Sequence, residues 1–118
     1  MSLAERYPMP RTDGDALLAV AIDDYRALDS LALVGLLAAR SGARPGLAGR
    51  ILGGPEEKPL ALLARAADLG WEAYQAILFE RDRRDSKRPR ALVGALKLYR
   101  DTTRDRARGM IGLLSTTH

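Results

Sequence analysis

The stretch Pro59–Leu78, PLALLARAADLGWEAYQAIL, decides how this chain folds. Leu62, Leu63, Ala66 and Ala67 fall at the three- and four-residue spacing of one helix face, and Gly70 interrupts the pattern. Trp71, Tyr74 and Leu78 then start a second stripe, with Ala73 and Ile77 beside it. The spacing predicts one helix over about 59–69 and another from Trp71, joined by almost no loop, so the two should be spatial neighbours. The second runs out into the charged segment Glu80-Arg81-Asp82-Arg83-Arg84-Asp85.

The same rhythm extends in both directions. Upstream, Thr12 and Asp15 resemble a capping box, opening a helix over about 13–28 with Leu18, Ala21, Ile22, Tyr25 and Leu28 on one face. Asp29 or Ser30 caps the next, which carries Leu33, Leu36 and Leu37 and stops at Ser41-Gly42. Pro45 suits the first turn of a short third helix that Gly53-Gly54-Pro55 breaks, leaving Glu56 to Lys58 as a polar link. Downstream, Ser86 caps a helix with Leu92, Ala95, Leu96 and Tyr99 on its apolar face, and Thr102 with Asp105 opens a seventh through Ala107, Met110, Ile111 and Leu114. Pro8 and Pro10 disrupt any period at the start, so residues 1–12 read as an arm and 13–118 as a single domain.

Composition agrees. Apolar residues make up 47% of 118, carried by Leu and Ala with one Phe, one Trp and four Tyr, which favours helix over strand. The chain has no Cys, which excludes disulfides, thiolate metal sites and Cys nucleophiles, and its single His is the last residue, His118. No catalytic, cofactor-binding or metal-binding residue is therefore nominated, and a non-enzyme is expected. No apolar run approaches a membrane span and no secretory leader is read, so the expectation is a cytoplasmic protein without a membrane partner.

Short segments echo one another. Ala32-Leu33-Val34-Gly35 recurs as Ala91-Leu92-Val93-Gly94, an offset of 59, and Gly49-Arg50-Ile51 is echoed by Gly109-Met110-Ile111. Leu31-Ala32-Leu33-Val34 also matches Leu60-Ala61-Leu62-Leu63 at an offset of 29. A period near thirty is that of a helical repeat array, in which each hairpin stacks on the next. The predicted fold is all-α, about seven helices forming stacked hairpins.

Pro59-Leu60-Ala61-Leu62-Leu63-Ala64-Arg65-Ala66, the Leu69-Gly70 turn and Glu72-Ala73-Tyr74-Gln75-Ala76-Ile77-Leu78 carry a family resemblance. So does Leu98-Tyr99-Arg100-Asp101 leading into Ala107-Arg108-Gly109-Met110-Ile111. From about Leu31 to Leu114 the chain resembles the C-terminal part of a HEAT-like helical family of uncharacterised, mainly alphaproteobacterial proteins, domain of unknown function 2336. The resemblance implies a short α-solenoid-like adaptor and supplies no catalytic residues.

Charge is distributed unevenly. Residues 1–80 hold eight Lys/Arg against eleven Asp/Glu, about −3, whereas 81–118 hold eleven against four, about +7. The basic residues Arg81, Arg83, Arg84, Lys87, Arg88, Arg90, Lys97, Arg100, Arg104, Arg106 and Arg108 are a candidate anion-binding surface. Interleaved Asp82, Asp85, Asp101 and Asp105 make a solvated, salt-bridged surface the simpler reading. Trp71 and Tyr74 are candidate aromatic anchors, with core packing favoured for both by their shared stripe. The acidic pairs Asp23-Asp24 and Glu56-Glu57 read as surface charge. The functional expectation is a non-enzymatic protein–protein interaction module, adaptor or regulatory. The alternative is nucleic-acid binding through the basic half, weakened by few aromatics for stacking. Self-association through end faces of a short array is a further expectation.

Overall fold

The structure, a computed structural model, describes residues 13–84 and 92–117. These form seven helices: α1 (Asp13–Arg26), α2 (Leu31–Ser41), α3 (Pro45–Gly53), α4 (Glu57–Ala66), α5 (Trp71–Arg84), α6 (Leu92–Asp101) and α7 (Arg104–Thr117). The fold is all-α, as the spacing predicts. The expected arm over 1–12 and the Ser86 cap lie outside the described residues.

Helix α4 sits at the centre and packs against α2, α3, α6 and α7. Its sequence explains this position, because Leu60, Ala61, Leu62, Leu63, Ala64 and Ala66 bury every side of the helix and not one stripe. Burial of each of its three leucines contributes about 1.5–3 kcal/mol. Around it, Leu33 and Leu37 of α2, Ile51 and Leu52 of α3, Ala95 of α6 and Ala107 and Ile111 of α7 complete the core. Helix α1 lies against α2 and α5, burying Leu18, Ala21, Ile22 and Tyr25.

The echoes that begin at Leu31, Leu60 and Ala91 fall in α2, α4 and, from Leu92 on, α6, and α4 touches both of the others, while the Gly49 and Gly109 echo falls in α3 and α7. Their surroundings differ, however: Val34 is half-buried, its counterpart Leu63 is fully buried, and Val93 is exposed.

Several helix ends differ from expectation for local reasons. Helix α1 stops at Arg26, not 28, because Leu28 adopts the left-handed conformation (φ 71°). Its amide donates to the Tyr25 carbonyl while that of Asp29 donates to Asp24, the paired bonds of a Schellman motif. Helix α4 ends in the same way at Asp68 (φ 58°), with the Asp68 and Leu69 amides bonded to the Arg65 and Ala64 carbonyls. Gly70 is therefore not the residue that turns the chain. The predicted polar link is shorter than expected, since Glu57 and Lys58 already belong to α4. At α7 the cap is one residue later than the Thr102 reading: Thr103 Oγ1 accepts from the Arg106 amide at 3.2 Å. Asp29 Oδ1 accepts the Leu31 amide at the start of α2, at 3.2 Å.

Candidate functional site

A concave feature with mixed chemistry lies where α5 begins, beside α6 and the end of α4. Trp71 is the first residue of α5, placed there by the Asp68 turn. Its ring meets Tyr74 edge-on at 6.1 Å and tilts onto Tyr99 at 5.8 Å, while Tyr74 and Tyr99 stack at 4.4 Å. Tyr99 is locked in place because its hydroxyl donates to the Leu69 carbonyl at 2.8 Å. Arg65 covers the same ring at 5.5 Å and donates from Nε to the Thr102 carbonyl at 2.8 Å.

These contacts leave one edge of the aromatic cluster in solvent. Trp71 remains 45% exposed and Val93, across the opening, 83%. Trp71, Val93, Leu96 and Tyr99 line a groove of about 680 Å³ whose remaining wall is Arg65, Lys97 and Arg100. Val93, Leu96, Lys97 and Arg100 follow three-and-four spacing, so a single face of α6 supplies one side of it. The groove thus sets apolar side chains beside the exposed cations Lys97 and Arg100.

The two nominated anchors thus part company. Trp71 is a partly exposed platform, while Tyr74 is fully buried and serves packing. Burial pushes the Tyr74 hydroxyl pKa up to about 12, with nearby Glu57 adding to the effect. Burial likewise raises Tyr99, opposed by Arg65.

The basic set is also divided. Arg81 is not on any surface: it is 2% exposed. It pairs with Glu57 at 3.4 Å and donates to the Gly54 carbonyl and, at 3.1 Å, to the Glu56 carbonyl. Glu57 is correspondingly buried, so the acidic pair Glu56-Glu57 is not simply surface charge. Spacing explains the burial of Arg81, which continues the Tyr74, Ile77, Leu78 face of α5 that packs inward, and Glu57 is the counter-charge it meets there. Arg83 grips the buried Glu80 carboxylate at 2.6 Å, which raises its pKa through that hydrogen bond. Arg104 faces Asp68 at 3.8 Å, and Arg108 donates to the Arg40 carbonyl at 2.8 Å, capping the negative end of α2. Arg106 is exposed. Among the described members of the set, only Lys97 and Arg100 are brought together at the groove, Arg100 being hydrogen-bonded to Asp101 at 2.9 Å. The Arg84 side chain and Lys87, Arg88 and Arg90 lie outside what the structure describes.

A second concavity of about 310 Å³ lies between α3, the Pro55 turn and Leu114 of α7, with Arg50 and Glu56 at its edge. Among the described residues no helix is long and apolar enough to cross a membrane.

An all-α domain built around one buried helix, with an aromatic and cationic groove on its flank, is the class these features define. The chain belongs to a bacterial family, domain of unknown function 2336, described as uncharacterised protein conserved in bacteria, whose model matches residues 6–112. Comparison with curated proteins and with solved structures found no match.

Proposed function

We propose that this domain is a non-enzymatic protein-interaction module acting in the cytoplasm, a short HEAT-like helical repeat that docks another protein in the groove between α5 and α6. The carrying observation is Trp71: a large aromatic side chain, held rigid by Tyr74 and Tyr99, that keeps nearly half its surface in water beside an exposed valine. Rigid, partly exposed aromatics bordered by apolar residues are the usual anchors of protein interfaces, because they bury much area for little lost side-chain entropy. The dispersal of the described cations speaks for this reading over the nucleic-acid one. Arg81, Arg83 and Arg108 are committed to partners within the fold, and of the two aromatic residues lining the groove Trp71 is exposed and Tyr99 buried, where single-strand binding needs a series of exposed rings.

The test is affinity capture from native cells with the wild-type chain and with Val93→Asp, each with and without nuclease. Proteins retained by the wild type, lost with Val93→Asp and indifferent to nuclease are expected. Retention that nuclease abolishes, equal for both chains, would favour nucleic-acid binding.

A further inference from the structure

We infer that the occupant of the groove is an acidic amphipathic helix of a partner protein, an inference that rests on the docking reading above. The groove face of α6 runs from Val93 to Arg100, about 10 Å or two turns at 1.5 Å per residue. Apolar chemistry comes first along it, Val93 then Leu96, and cationic chemistry follows, Lys97 then Arg100. A helix laid against this face presents side chains at the same three-, four- and seven-residue intervals. It therefore meets Val93, Leu96 and the Trp71 edge with apolar anchors and Lys97 and Arg100 with carboxylates.

Charge decides the sign of the partner. Arg65 is spent on the Thr102 carbonyl and the Tyr99 ring, leaving Lys97 and Arg100 as the exposed cations of the groove lining. Lys97 has no ion-pair partner among the described residues, and the Arg100–Asp101 contact is an exposed pair of neighbours that an incoming carboxylate displaces at little cost. A basic segment would meet these two cations with the Asp101 carboxylate beside them and none in the groove lining. A phosphate backbone would leave the apolar surface of Val93 and Trp71 uncovered.

One segment of this chain has related chemistry. Helix α1 exposes Leu17, Val20 and Asp23, so α1 of a second copy is the competing occupant. The experiment separates the cases. A random-peptide display library with inserts of about three to four helical turns is panned against the intact chain. Enriched peptides are then measured against Val93→Asp and the double variant Lys97→Glu/Arg100→Glu, with circular dichroism as a folding control. In parallel, sedimentation of the chain alone reads self-association.

Support takes this form: enriched inserts with apolar residues at three-and-four spacing and Asp or Glu between them, binding lost with Val93→Asp and weakened about tenfold or more by the charge reversal. Neutral or basic inserts that Val93→Asp still abolishes overturn the acidic-helix inference and leave the docking reading standing. Inserts indifferent to Val93→Asp, or no enrichment, overturn both. Self-association lost with Val93→Asp gives the groove to α1 of a second copy and overturns the partner helix.

Discussion

Arg81, near the end of α5, reaches back to Glu57 at the start of α4 and closes the α4–α5 hairpin at the end opposite its turn, guanidinium and carboxylate 3.4 Å apart and both buried. A buried pair of this kind is costly to break from one side, because the survivor keeps its desolvation penalty without its counter-charge. Arg81→Leu is expected to cost about 3–5 kcal/mol. The double variant Glu57→Leu/Arg81→Leu should recover part of that loss in urea unfolding. A double variant no more stable than Arg81→Leu would contradict this account.

Tyr74 and Tyr99 stack on each other, yet their hydroxyls differ. Tyr99 donates to Leu69, whereas the buried Tyr74 hydroxyl has no hydrogen-bond partner among the described residues. Tyr99→Phe leaves the Leu69 carbonyl without its donor and should destabilise by about 1–2 kcal/mol. Tyr74→Phe should be neutral or stabilising. Equal losses for the two variants, measured side by side by denaturant unfolding, would count against the assignment.

The same residue gives a pH dependence. The Tyr74 hydroxyl titrates at 10.0 in the ordinary case and is pushed up to about 12 in the fold, so the folded state holds a proton that the unfolded chain has released between these values. Stability from this group is fully present below pH 10 and is lost as pH rises through about 12. The unfolding midpoint should fall across that window, followed alongside tyrosinate absorbance, and Tyr74→Phe should flatten part of the decline.

Leu28 ends α1 in the left-handed region with its side chain in solvent, so it bears backbone strain without a packing return. Leu28→Gly should raise stability by about 0.5–1 kcal/mol once the greater freedom of the unfolded glycine is counted. Gly42→Ala is the reverse case, since Gly42 caps α2 at φ 83° and should lose about 1 kcal/mol or more when given a Cβ. Thermal unfolding of the two variants should move in opposite directions.

The helices were legible because their core faces repeat at a regular interval, as in Leu18, Ala21, Ile22 and Tyr25. Their ends were less so. A glycine at position 70 advertises a turn, but the bonds to the Arg65 and Ala64 carbonyls were already available two residues earlier, and Asp68 accepted the strained geometry. At the site, Trp71 and Tyr74 share a stripe, yet the first turn of a helix overhangs the core, so the same periodicity buries one ring and leaves the other half in water. Arg81 sat within a run of charges that reads as solvated. The signal for its burial was its register with Tyr74, Ile77 and Leu78. What brings Arg65, Trp71 and Lys97 around one groove is tertiary packing, which no local pattern carries.

The central position of α4 has a consequence for how the domain comes apart. In a long linear array, a terminal hairpin can fray while its neighbours hold. Here α7 lies on the middle helix, and Ala107 and Ile111 cover its apolar flank. Loss of the C-terminal segment would uncover the centre of the molecule, so a chain cut after Asp101 should collapse or aggregate instead of persisting as a shorter fold. Native-state hydrogen exchange should accordingly find the amides of α4 opening only with the whole.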